Sequence, residues 1–248
     1  MVAAKTPSGF VARLDLLTDM NLQFFPAPQP NKTGILVVPG GGYGFVSLEN
    51  EGTRVAAWLN ERGFDAWVLT YTVASPQTPA PIYPAPQNEA LEAIRQIRAQ
   101  NRVTKLGIWG FSAGGHLSAV TVTNPEAKLD FAILAYPVIS MEPGVAHAGS
   151  RHNLIGDNPT PELQRSMSAQ NRISLQTPPV FLFHTANDPV VPVQNALLFA
   201  MEMADHRRPF EILILPDGPH GINLALGDAK LTWTGELERW LKPFVAPA

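Results

Sequence analysis

Almost every short apolar run in this chain is separated from the next by a segment whose apolar residues recur at three- and four-residue spacing. The runs are Gly34–Pro39, Asp65–Thr72, Leu106–Gly110, Asp130–Tyr136, Val180–His184 and Phe210–Leu215. Each is continuous rather than alternating, as expected of strands covered on both faces in a parallel sheet. The helical-period segments are Glu51–Arg62, Asn88–Ala99, Ala113–Thr123, Val193–His206 and Leu231–Leu241. Strand alternating with helix implies βαβ units and a doubly wound, mostly parallel α/β sheet. Val11–Leu16 and Asn21–Phe25 are expected to add an antiparallel hairpin at the sheet edge. No linker divides the 248 residues, so one α/β domain over 1–248 is the economical reading.

Two stretches break the rhythm. Ser75–Pro86 is dense in proline, which fixes φ and removes backbone donors, and is expected to be an ordered irregular loop. Val138–Pro179 is an insertion before the penultimate strand that carries His147, Arg151 and His152. It is expected to hold one short helix, Pro161–Met167, capped by Thr160. A segment so placed can form a cap or side wall over a site, or a plain exposed excursion.

Composition removes whole classes of function. Lys and Arg total 18, Asp and Glu 21, and neither sign gathers into a run, which speaks against a nucleic-acid or anionic-membrane surface. The absence of cysteine excludes disulfides, thiolate metal sites and a thiol nucleophile. No apolar stretch approaches the roughly 18 residues of a membrane span. Residues 1–15 lack the basic start and apolar run of a signal peptide. The expectation is a soluble protein, cytoplasmic as written and periplasmic or secreted if a signal has been removed. Neither compartment nor oligomeric state is fixed by the sequence, and no metal or cofactor is called for.

Chemistry concentrates at four strand ends. Gly110-Phe111-Ser112-Ala113-Gly114 is a G-x-S-x-G sequence directly after one strand and directly before one helix, the frame that lifts a serine hydroxyl above a sheet. A serine needs a base within hydrogen-bond reach and an acid to orient that base. Asp188 follows the Val180–His184 strand and His220 follows Phe210–Leu215, so both fall on the same sheet edge as Ser112. Asp217 competes for the acid role. Ser, Asp, His is the chain order of an α/β-hydrolase. Pro39-Gly40-Gly41-Gly42-Tyr43 follows the first long strand, and its glycines let backbone N–H groups turn towards an oxyanion. The expected donors are Gly41, Gly42 and Ala113. Tyr43, Tyr136, Arg151 and His152 are the expected substrate contacts, with Trp109 and Phe111 assigned to the core.

The sequence resembles an α/β-hydrolase from Gly34 onwards. PGGGY at 39–43, Glu51-Gly52, GFSAGGH at 110–116 and the tract from Pro178 through HTANDPVVP to GPHG resemble the bacterial acetyl xylan esterase-like carbohydrate esterases, also called feruloyl-esterase-like or hormone-sensitive-lipase-like esterases. The resemblance implies cleavage of short acyl esters, typically acetates, from sugar or xylan hydroxyls without a cofactor. It carries Ser112, Asp188 and His220 as triad and Gly41, Gly42 and Ala113 as oxyanion donors. Pro39 stands where many lipase relatives have His, which moves the chain away from the lipase side. The alternatives are an aryl-ester or formamide hydrolase, a small serine peptidase of the prolyl-oligopeptidase type, and a binding protein that has lost its chemistry. The peptidase type normally brings a propeller, for which 248 residues leave no room.

Overall fold

A computed structural model describes residues 20–245. Its seven strands are β1 (Asn21–Phe25), β2 (Thr33–Val38), β3 (Asp65–Thr70), β4 (Lys105–Phe111), β5 (Phe131–Ala135), β6 (Val180–Thr185) and β7 (Phe210–Leu215), in the order β1-β3-β2-β4-β5-β6-β7. All pairings are parallel except β1 with β3. The expected edge strand Asn21–Phe25 is thus present against β3, and Val11–Leu16, the other arm of the expected hairpin, lies outside the described residues.

Alternation along each strand feeds two cores. Leu36, Trp67, Ile108, Leu134 and Leu182 pack on one face, and Val37, Val68, Trp109, Ile133 and Phe183 on the other. Side chains two apart share a face, so strands apolar throughout require helices on both sides. Those helices are α1 (Arg54–Asn60), α2 (Ala85–Ala99), α3 (Ser112–Val122), α6 (Gln194–Asp205) and α7 (Thr234–Leu241). All eleven residues of α3 are buried, which accounts for its two consecutive glycines, where bulk has no room.

The two irregular stretches depart from expectation. The proline-rich loop ends earlier than Pro86, because Ala85 and Pro86 form the first turn of α2, where a residue without an N–H loses nothing. The insertion holds two α-helices rather than one: α4 (Ala148–Ile155) precedes α5 (Pro161–Met167). Thr160 caps α5 by accepting from the Leu163 N–H at 3.2 Å. The start of α4 is capped instead by the His147 ring, which accepts from the Ser150 N–H at 3.2 Å. Histidine is not among the usual cap residues, so the local signal for this helix was missing. The backbone of α4 then pins the proline-rich loop, accepting from Ile82 at 3.0 Å and Tyr83 at 2.9 Å.

His116 on α3 ties these parts together. It is fully buried; Nε2 lies 2.6 Å from the Met167 carbonyl at the end of α5, and Nδ1 2.7 Å from the Tyr43 hydroxyl. Nε2–H therefore donates to Met167 and Nδ1 accepts from Tyr43, which uses both nitrogens of a neutral ring. Burial is the main reason its pKa falls to about 4.

Below about pH 6.5 the unfolded chain takes up a proton that folded His116 refuses, so this contribution to stability is full above that pH and is lost as pH falls towards about 4. Urea midpoints of the wild type should fall across this window. His116→Gln should be less stable near pH 7.5 and show a shallower fall. A second expectation concerns Gly114, where an added Cβ would lie 2.2 Å from the Val38 carbonyl oxygen and 2.3 Å from that of Pro39. Backbone cannot swing aside, so Gly114→Ala should lower stability by about 1–3 kcal/mol, measured by the same titration.

Candidate active site

Ser112 begins α3 directly after β4 and has φ +51°, a left-handed conformation that costs a non-glycine residue energy and persists only where the surroundings enforce it. The enforcement is steric. A Cβ at Gly110 would meet the Gly114 carbonyl oxygen at 2.2 Å, and one at Gly114 would meet the end of β2. With both positions stripped of side chains the chain can reverse sharply, and Ser112 projects beyond the sheet while remaining 7% exposed.

Two loops past the ends of β6 and β7 bring a base and an acid to it. His220 Nε2 lies 2.9 Å from Ser112 Oγ, and His220 Nδ1 lies 2.6 Å from Asp188 Oδ2. Asp188 is fixed from its other oxygen, which accepts from the backbone N–H groups of Val190 at 2.8 Å and Val191 at 2.9 Å. Burial alone would raise its pKa, but hydrogen bonds from His184, His220, Val191 and Val190 outweigh burial and hold the carboxyl well below the usual range. A carboxylate so held favours the Nδ1–H tautomer, leaving Nε2 to accept the Ser112 proton. Asp217 is engaged elsewhere, accepting from the Asn187 side chain at 2.6 Å.

The glycine loop after β2 faces this chain of groups. Gly41 has φ +133° and Gly42 φ +62°, so a side chain at either is disfavoured. The backbone N–H groups of Gly41, Gly42 and Ala113 find no acceptor among the described residues, as donors reserved for a ligand would not. The loop is held by its neighbours instead. Gly44 and Phe45 donate to the Gly41 carbonyl, and the Asn153 amide of α4 donates to the Gly42 carbonyl at 2.9 Å.

Beneath the loop sits Glu51, 5% exposed. Its Oε2 accepts from the Gly40 N–H at 2.7 Å and its Oε1 from the Tyr136 hydroxyl at 2.8 Å. Tyr136 in turn accepts from the Asn223 N–H at 3.1 Å, and its ring meets the His220 ring edge-on with centroids 5.0 Å apart. Burial raises the Glu51 pKa, while the bonds from Tyr136 and Gly40 and the nearby His220 pull it back. Burial and the Glu51 charge push the Tyr136 phenol well above its ordinary value, so it stays a neutral donor.

Ser112 and His220 open into a cavity of about 570 Å³ whose other walls include Gly42, Phe45, His147 and Asn153. None of the four expected substrate contacts is part of this lining. Tyr43 is fully buried against His116. Tyr136 is 2% exposed and turned to Glu51. Arg151 bonds the Met141 and Asp157 carbonyls inside the insertion, and His152 pairs with Asp157 on the outside. Position near a strand end put the tyrosines in range, but both stand in left-handed turns, φ +60° for Tyr43 and +37° for Tyr136, and their hydroxyls are taken up by His116 and Glu51. From the insertion His147, Gly149 and Asn153 reach the cavity, and His147 brings the ionisable group. Its Nδ1 accepts from Ser150, so the proton sits on Nε2, which has no partner among the described residues. Burial, with His220 nearby, lowers its pKa and keeps it a neutral donor.

Known proteins resemble this chain throughout. Residues 85–245 match the prolyl oligopeptidase family. An acetylxylan esterase of Xylanibacter ruminicola is 31% identical over 98% of this chain and 52% of its own length. Endo-1,4-beta-xylanase B of Butyrivibrio fibrisolvens is 35% identical over 81% of this chain and 34% of its own. The chain thus spans about half and a third of these two relatives. The crystal structure of an acetyl ester-xyloside bifunctional hydrolase from Caldicellulosiruptor lactoaceticus superposes with a TM-score of 0.82 at 34% identity, covering 95% of this chain and 94% of that one. The seven-stranded, mostly parallel sheet is that of the α/β-hydrolase fold, and the chain belongs to the prolyl oligopeptidase family.

Proposed function

We propose that this chain is a serine esterase that removes short acyl groups, acetate foremost, from saccharides of the xylan type. The single observation that carries the reaction class is the unbroken Ser112–His220–Asp188 hydrogen-bond chain, 2.9 Å and 2.6 Å long, beside free backbone donors. The saccharide rests on likeness to the acetylxylan esterase at 31% identity and the acetyl ester-xyloside hydrolase at 34%. In this reading residues 1–248 act as one domain, with 138–179 as the side wall of the site.

The steps follow from the geometry. Ser112 Oγ attacks the ester carbonyl carbon as His220 Nε2 takes its proton, and the carbonyl oxygen becomes an oxyanion facing the N–H groups of Gly41, Gly42 and Ala113. Collapse breaks the bond to the sugar oxygen, which leaves as an alcohol with the proton from His220. A water then gives its proton to His220 and attacks the acyl-Ser112 carbonyl, releasing the acid and restoring Oγ–H. Asp188 orients the imidazole and stabilises its cation throughout. Glu51 is a positioning residue: one carboxylate fixes the donor loop through Gly40 and the histidine loop through Tyr136.

With 4-nitrophenyl acetate, Ser112→Ala should lower kcat by about 10⁴-fold or more; near-normal turnover would remove Ser112 from the scheme. Glu51→Gln places an amide donor against two groups that are themselves donors. Because misplacement of about 1 Å can cost about 10²-fold in rate, it should lower kcat by roughly that factor with KM little changed. Steady-state kinetics on the folded variant checks it, and a change confined to KM would contradict the role.

A further inference from the structure

A second cavity, of about 420 Å³, adjoins the first. The two meet at Asn50 and Asn223, which line both. Each alone falls in the range of roughly 300–1,000 Å³ typical of a site for one small molecule, more than an acetyl group and a single sugar can use together. The second is walled by Arg54, Ala57 and Glu61 from α1 and its C-terminal end, and by Leu226 from the loop beyond His220.

The chemistry of this wall selects its occupant. Arg54 and Glu61 carry opposite charges, and each is already paired, with Glu49 at 2.7 Å and with Arg62 at 3.5 Å. Both are engaged in exposed ion pairs, Arg62 also bonding Glu238 at 3.0 Å, and the two charges of the lining cancel in sum. At the junction, the side-chain amides of Asn50 and Asn223 have no partner among the described residues. The Asn223 backbone is fully engaged, with Tyr136 through N–H and with the Trp233 indole through the carbonyl, so the residue is anchored at the junction and the polar atoms of its side chain are left over. A carboxamide offers a donor and an acceptor side by side, which matches adjacent hydroxyls. Leu226, 62% exposed, supplies an apolar surface of the kind that the C–H face of a pyranose covers.

Resting on the esterase reading above, we propose that the second cavity, between α1 and the loop beyond His220, is a subsite for the uncharged saccharide chain beyond the acetylated sugar. The chain would cross from Ser112 over Asn50 and Asn223 and lie along α1.

Acetate release should be measured for acetylated xylose and acetylated xylotetraose, with 4-nitrophenyl acetate as control. The ratio of kcat/KM for the tetramer to that for the monomer should be at least about tenfold in the wild type. Ala57→Trp fills the second cavity from an exposed helix position and should bring this ratio close to one. Asn50→Ala should lower the ratio from the junction and guards against a folding defect in the first variant. A wild-type ratio near one, with both sugars hydrolysed, overturns the subsite and leaves the esterase reading standing. So does an unchanged ratio in both variants. Hydrolysis of 4-nitrophenyl acetate with neither sugar accepted overturns the saccharide reading and the subsite together.

Discussion

Three separate stretches of chain must come together for the site to exist, and Glu51 ties two of them, the glycine loop and the histidine loop. The glycine loop arrives from β2, Ser112 from β4 and His220 from β7, and each could drift independently if tied only to its own strand. Glu51 holds Gly40 with one oxygen and, through Tyr136, the residues after His220 with the other. Its carboxylate is buried, and hydrogen bonds to a charged group are worth about 1.5–3 kcal/mol each while an unsatisfied one is penalised heavily. Loss of either partner therefore leaves one buried carboxylate oxygen unsatisfied. The same economy explains why a Cβ at Gly40 has no space: it would lie 2.9 Å from both Glu51 Oε2 and Ser112 Cβ and 2.7 Å from the Phe111 carbonyl oxygen.

Asp188 follows a related logic on the other side of the histidine. Four donors surround it, two from backbone and two from imidazoles, so its charge is specified by geometry rather than by a cation. His184, inside β6, contributes by donating to the Val191 carbonyl at 2.9 Å with Asp188 Oδ2 at 3.5 Å. The acid loop is thereby closed on its own strand independently of His220.

Much of this was readable from the residues. Continuous apolar runs gave the parallel strands because both faces are buried, and β1 was visible as an edge strand. The pentapeptide around Ser112 was legible because only small residues survive where backbones touch. What escaped detection depends on long-range packing. Glu51 lies in a wide turn, Leu48–Thr53, ahead of α1, and nothing local distinguishes it from a surface acid. Asn153 sits on a helix whose cap is the His147 imidazole. Tyr43 and Tyr136 were expected at the substrate because they stand at strand ends, yet the ring of each lies in the core. Both stand in turns just past a strand, where the period-2 pattern that assigns side chains to faces no longer applies.

Behind the sheet, Trp233 stacks on Phe183 with centroids 4.2 Å apart, meets Trp109 edge-on at 5.9 Å, and donates its indole N–H to the Asn223 carbonyl at 2.9 Å. Trp109 is three residues before Ser112, and Asn223 three residues after His220. One indole therefore bears on the chain segments that carry both the hydroxyl and the imidazole, from the side opposite to any ligand. The segment leading into α7 is consequently part of the apparatus that keeps these two groups in register, and sequence drift there is constrained by turnover as well as by folding.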